Sequence, residues 1–128
     1  MTTHLVDTHA LLWANSAPEL LSASARQVIE SRQIKVSVVS FLELMLKKTK
    51  KEAPLADPVA WWDRYITRAS IEAMPVRVGH IAQLDMLPDL HKDPFDRMLI
   101  AQAVFEDLPI VTADEAIAQY SLVKTVWK

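Results

Sequence analysis

The sequence predicts an α/β fold, a three-layer α/β/α sandwich around a mostly parallel sheet of about five strands. Three observations predict it. Short apolar or β-branched runs alternate with helix-like segments from one end of the chain to the other. No repeat, low-complexity tract or long linker divides the 128 residues, so they read as one domain, 1–128. Hydrophobic residues make up 51% of the chain, and a domain of this size buries roughly two thirds of its unfolded surface in a single core.

The elements follow in order. "HLVD" (4–7) reads as a short buried strand, with "THALLWAN" starting a helix behind it. "SASARQVIESRQ" (22–33) carries the apolar spacing of an amphipathic helix, and "IKVSVV" (34–39) is β-branched and strand-like. "SFLELMLKKTKK" (40–51) is helical and turns basic at its end, which suits the negative pole of the helix dipole. "DPVAWWDRYITRA" (57–69) opens with Asp and then Pro, a strong helix start. "SIEAMPV" (70–76) is a strand candidate and "GHIAQLDML" (79–87) a short helix. "KDPFDRMLIAQAVF" (92–105) is a helix that is apolar almost all the way round. The strand "LPIVT" (108–112), the helix "DEAIAQYS" (114–121) and a last strand "VKTVW" (123–127) complete the order.

Composition excludes several classes of function. The chain has no Cys, which rules out a disulfide scaffold and thiolate metal sites and fits a reducing, cytoplasmic setting. A single glycine, Gly79, cannot build a phosphate loop or a dinucleotide fingerprint. "MTTHLVDTH" enters a strand-like run at once, without the features of a signal peptide, and no apolar run approaches the length of a membrane span. The net charge of −2 gives no overall attraction to nucleic acid, so any such binding needs local patches or bound cations.

Four acids stand at four helix starts. Asp7 ends the first strand, and Glu43 sits in the first turn after the second. Asp96 lies in the first turn of the apolar helix, and Asp114 begins the helix after "PIVT". Helix capping accounts for part of this. Ser40-Phe41-Leu42-Glu43 and Thr112-Ala113-Asp114-Glu115 match capping boxes, and Asp93-Pro94 puts Asp96 at the dipole-favoured third position. Capping does not explain why Asp96 shares a face with Leu99, Ile100 and Ala103, or why Asp7 closes a buried strand. Right-handed βαβ connections gather acids that follow parallel strands at one edge of the sheet. Two carboxylates about 4 Å apart repel by roughly 4 kcal/mol at a surface-like dielectric. No Lys or Arg is spaced to offset all four, so a divalent cation is expected. Oxygen ligands without Cys favour Mg²⁺ or Mn²⁺ over Zn²⁺.

"LVDTHALLW", "SVVSFLEL", "HKDPFDRMLIAQA" and "PIVTADEAIAQY" resemble the PIN domain in order and spacing, over essentially the whole chain. Within that family the resemblance is to VapC-type toxins of bacterial toxin–antitoxin pairs. It implies a compact α/β/α endoribonuclease dependent on Mg²⁺, with Mn²⁺ as the alternative ion. The family's four acids fall on Asp7, Glu43, Asp96 and Asp114, the expected metal ligands and catalytic residues. Thr112 matches a hydroxyl common near the last acid. Thr8 and Arg97 are expected beside the acids as well, Arg97 as a contact to phosphate or to the groups that hold the acids.

The resemblance also implies a homodimer and a VapB-like antitoxin. An apolar groove for the antitoxin is expected beside 40–51 and 57–69, using Leu46, Tyr65 and one of Trp61 and Trp62, the other Trp being core. A basic side chain of the antitoxin would then pair with Asp7 and Asp96. "KKTKK" (47–51) reads as a solvated helix end rather than a phosphate grip. His4, His9, His80 and His91 lack metal-ligand spacing. Two other readings compete. A phospho-receiver domain needs an acidic pair after the first strand and an Asp after the third, and neither is present. A PIN-like module that binds RNA or protein without cutting is separated from a nuclease by metal-dependent cleavage of RNA.

Overall fold

Leu5 and Val6 are both fully buried, yet they pack into different cores on opposite faces of one sheet. The computed structural model, which describes residues 2–128, builds that sheet from β1 (His4–Val6), β2 (Ile34–Ser37), β3 (Glu72–Met74), β4 (Ile110–Val111) and β5 (Thr125–Val126). All four pairings are parallel, in the order β3-β2-β1-β4-β5. Strands buried on both faces read as continuous apolar runs, as "HLV" and "PIV" do.

Seven helices cover the two faces: α1 (Thr8–Ser16), α2 (Ala23–Glu30), α3 (Val38–Lys47), α4 (Pro58–Trp62), α5 (Val78–Gln83), α6 (Pro94–Glu106) and α7 (Glu115–Ala118). One core joins Val6, Val36 and Val111 to α1, α2 and α4 through Leu11, Ala25 and Trp62. The other joins Leu5 and Ile110 to α6 and α7 through Leu99, Ile100, Ala103 and Ile117. Helix α3 serves both, with Val39 in the second core and Phe41 stacked on Trp62 in the first (4.9 Å, 12°).

Several boundaries differ from the sequence expectation. β2 stops at Ser37, whose hydroxyl accepts from Val39 N–H at 3.0 Å and caps α3, so Ser40 lies inside that helix and makes no capping box with Glu43. α3 ends at Lys47, and the basic run continues as turns. The helix expected over 57–69 is α4 followed by a π turn, Asp63–Thr67. Residues 79–87 divide into α5 and a 3₁₀ turn, Leu84–Met86. With a single glycine in the chain, left-handed corners fall to Arg32, Ser70 and Asp107, with φ of 62, 59 and 56°. Each costs roughly 1–2 kcal/mol in a residue carrying a Cβ, less for Asp.

A buried polar knot fixes β2 against α5 and α6. Ser37 Oγ donates to Gln102 Oε1 at 2.5 Å, and Gln102 Nε2 donates to Pro75 O at 3.1 Å. Fully buried His80 accepts from Arg77 N–H at Nδ1 and places Nε2 2.9 Å from Glu106 Oε2. Ser37→Ala would strand the Gln102 oxygen and remove the α3 cap. It should cost about 2–3 kcal/mol, read as a lower urea midpoint at unchanged m-value.

Candidate active site

The strand order reverses direction at β1, which lies between β2 and β4. Open α/β sheets place their sites outside the carboxyl ends of the strands at such a switch. Here β1 runs directly into Asp7 and β4 into Thr112 and Asp114, and Asp7 N–H donates to Val111 O at 3.1 Å across the switch.

Asp7 is 4% exposed. Its Oδ1 caps α1, accepting from Ala10 N–H at 2.8 Å. Burial pushes its pKa up; the Thr112 hydroxyl, the Ala10 amide and His9 pull it down, and the charge of Asp114 pushes it up again. Asp114 caps α7 itself, with Oδ1 accepting from Ala116 N–H at 2.8 Å, so the capping box expected from Thr112 is not how that helix begins. Thr112 Oγ1 instead accepts from Asp114 N–H at 3.0 Å.

Asp96 has no capping duty. Asp93 takes that role for α6, its Oδ1 accepting from Phe95 and Asp96 N–H at 2.8 and 3.1 Å. Desolvation, then the charge of Asp93, push the Asp96 pKa up to about 6; Glu43 and Asp114 add to the rise and His91 opposes it. Glu43 lies in the second turn of α3, buried. Its Oε2 accepts from Lys47 Nζ at 2.8 Å, whereas its Oε1 is buried with no hydrogen-bond partner. An orphaned carboxylate oxygen is rare in a folded protein and marks a place where a cation fits.

His91 is the residue that the sequence reading set aside and the structure brings in. Its Nδ1 accepts from Asp93 N–H at 3.2 Å, so Nε2 carries the proton. That Nε2 lies 3.0 Å from Asp96 Oδ2 and 3.1 Å from Asp114 Oδ2. Among the described residues, His91, Asp96 and Asp114 are the one trio whose ligand atoms all lie within 4.8 Å of one another. Asp7 and Glu43 stand outside the trio but within its electrostatic reach, through Asp114 and Asp96 respectively. His91 was legible only as a neighbour of the "DP" helix start; its two-residue offset from Asp93 folds the ring back over the first turn.

The flanking residues divide. Thr8 Oγ1 donates to Ser40 Oγ at 2.8 Å, buried, which ties α1 to α3 beside Asp7 and Glu43. Arg97 turns away from the acids, donating to Pro88 O at 3.1 Å and to the Tyr120 hydroxyl at 3.3 Å. That hydroxyl also accepts from Leu90 and His91 N–H, at 3.3 and 2.8 Å, so Tyr120 and Arg97 hold the loop that presents His91. Of the residues expected at a partner surface, Leu46 is 57% exposed, Trp61 and Tyr65 are half-buried against each other, and Trp62 belongs to the core.

Two carboxylates, Asp96 and Asp114, thus meet the His91 ring at the switch point of a parallel α/β sheet, close enough together to hold a metal ion. The PIN domain family profile matches residues 4–122, and the chain belongs to that family. Its likeness within the family is to VapC proteins. It is 29% identical to Ribonuclease VapC22 of Mycobacterium tuberculosis over 131 residues, 99% of this chain and 100% of that protein. Its fold matches the VapBC2 complex of Rickettsia felis bound to a promoter DNA fragment, with TM-score 0.69 and 16% identity over 99% of this chain and 100% of that one. DNA-bound VapBC of Salmonella typhimurium gives 0.69 at 15% identity over 98% of each chain. A toxin–antitoxin complex of Klebsiella pneumoniae gives 0.62 at 20% identity over 94% and 95%.

Asp96 holds its proton longer in the folded protein than in the unfolded chain, where its pKa is 3.8. Its share of stability is full below that value and is lost as pH rises to about 6. Asp96→Asn should remove this slope. Without metal, the variant should exceed the parent by about 2 kcal/mol above pH ~7, after allowance for solvent screening, and converge with it near pH ~4. Chemical denaturation across that range measures both.

Proposed function

We propose that the protein is a divalent-metal-dependent endoribonuclease, the toxin of a toxin–antitoxin pair, acting in the cytoplasm. One observation carries the reading: at the switch edge Asp96 and Asp114 converge on a single point, with a buried, unpartnered oxygen of Glu43 on the same edge. The oxygen donors fit a hard cation, Mg²⁺ or Mn²⁺, with Asp96, Asp114, Glu43 and Asp7 as its holders. Such an ion supplies activation of water near neutral pH and offsets negative charge building on an attacked phosphate.

The chain's own groups do the rest. Asp93 fixes the Asp96 backbone N–H at the helix start, and the Ala116 N–H fixes the Asp114 carboxylate. His91 Nε2–H holds the two acids in register, and with a pKa of about 6 Asp96 is ionised at neutral pH. Thr112 secures the turn into Asp114 and meets the Asp7 carboxylate. Without a cation these acids would repel an RNA backbone, so substrate and ion are expected to bind together.

Purified protein should cleave RNA in Mg²⁺ or Mn²⁺ and stop in EDTA. Asp96→Asn should lower the rate at least 10²-fold, in keeping with its place in the metal centre, while its circular dichroism stays that of the parent. RNA left intact by the parent in either metal would overturn the proposal.

An unrestrained ribonuclease harms its own cell, and a VapB-like antitoxin is the partner proposed here. The VapBC structures similar in fold are complexes of that kind. Leu42 and Leu46 lie four apart on α3 and are 52% and 57% exposed; α4, packed beside it, adds Val59 at 54%. These residues, with Trp61, form the proposed apolar seat, and a basic side chain entering between Asp7 and Asp96 would complete inhibition. Leu46→Ala and Trp61→Ala should each weaken binding of the protein encoded in the adjoining reading frame by 1–3 kcal/mol, measured by calorimetry. Rising Mg²⁺ should compete. Unchanged affinity in both tests refutes this seat.

A further inference from the structure

A groove of about 720 Å³ opens between α1 and α3, roofed by residues 50–55, and it runs into the acidic edge at Thr8 and Glu43. Its floor is apolar, with Leu12 and Trp13 from α1, Leu44 from α3 and Leu55 from the roof. Its rim is basic. Lys47, Lys50 and Lys51 all line it, against the acids Glu43 and Glu52. The basic run after α3 is therefore not merely a solvated helix end: the turns Lys50 N–H to Lys47 O and Ala53 N–H to Lys50 O fold it over the groove.

We infer that this groove is the track for the RNA strand adjoining the scissile phosphate, its phosphates on Lys47, Lys50 and Lys51 and a base against Trp13. The inference rests on the ribonuclease reading and gives its substrate a path. The observations favour a polyanion over a peptide. A partner that inserts a basic side chain among the acids brings positive charge toward these three lysines, whereas a phosphate backbone meets them favourably. An apolar floor with an aromatic wall beside a cationic rim is the make-up of sequence-tolerant single-strand sites. Trp13 is half-buried, with His9 at 6.0 Å and Trp127 at 5.7 Å between ring centroids, both tilted to it, so its indole has fixed neighbours before a base arrives.

Lys47 joins groove and metal centre. Its ammonium is paired with Glu43 Oε2 at 2.8 Å. Lys47 holds one oxygen of Glu43 and leaves the other unpartnered, so the groove and the acidic edge meet at a single carboxylate.

The test uses Asp96→Asn protein, to bind without cutting, and a short fluorescein-labelled single-stranded RNA in Mg²⁺, followed by anisotropy across a salt series. Adding Lys50→Ala and Lys51→Ala should weaken binding roughly tenfold and lower the slope of log K against log salt by about 1.4, two phosphate contacts on a single strand. Both lysines are exposed, so folding is not at stake. Trp13→Phe in the same background should lose most of the quenching of tryptophan emission by RNA. If the lysine variant keeps its affinity and slope, or Trp13→Phe keeps its quench, while the otherwise native protein still cuts RNA, the groove is not the track and is left to a protein partner. If the native protein neither cuts nor binds RNA, the ribonuclease reading itself has failed, and the inference falls with it.

Discussion

Repulsion among carboxylates crowded at one edge of a parallel sheet is the constraint to which the other parts of the site respond. The crowding follows from topology, since β1 and β4 lie side by side and both deliver their chains to the same edge. The protein eases the repulsion in three ways. It gives Asp7 and Asp114 second roles as helix caps, it sets Lys47 against Glu43, and it lays the His91 N–H across Asp96 and Asp114. One oxygen of Glu43 is left without a partner. A protein selected for stability alone would fill that gap or replace the acid, because a buried unpaired carboxylate oxygen costs free energy that nothing else in the fold recovers.

Capping therefore does not compete with the cation proposed for these acids. A carboxylate has two oxygens, and in Asp7 and Asp114 the Oδ1 atom faces a backbone amide. The amide bond fixes the rotamer and so aims the other oxygen before any ligand arrives. For Asp96 the backbone is set by Asp93 on its N–H and the carboxylate by His91 Nε2 at 3.0 Å. Local helix-start chemistry is in this sense the means by which the site is preorganised.

The sheet and its helices were legible because period and composition are local. "IKVS" and "EAM" declare themselves within a few residues, and Asp93-Pro94 opens α6 where the sequence says it should. What the sequence hid depended on hydroxyl partners or on chain reversal. Ser37, not Ser40, caps α3, because the strand ends early enough for its own last serine to turn in. β4 and β5 are two residues each, β4 pairing with β1 and β5 with β4 at the sheet's edge, too short for a run of apolar residues to mark their ends. Asp7, Glu43, Asp96 and Asp114 could be placed at one edge from topology. His91 could not, because its route to Asp96 and Asp114 is a side-chain bond to the Asp93 amide that no spacing rule encodes. Lys47 was visible as charge, but its pairing with Glu43 one turn away was read as solvated surface.

Tyr120 gives the chain a temporal order as well as a spatial one. Its hydroxyl, on a fully buried residue, receives the Leu90 and His91 amides and Arg97, so the loop carrying His91 lacks these three bonds until residue 120 exists. The central strand β1, made first, likewise waits for β4 before its second edge is paired. On a ribosome delivering about 5–20 residues each second, the acidic edge stays unassembled until Asp114 and Tyr120 have been made. A nascent chain broken off before that point would present the early acids Asp7 and Glu43 without the loop, strand and helix that complete their surroundings. The convergence of Asp96 and Asp114 on the His91 ring is thus among the last features of the site to form.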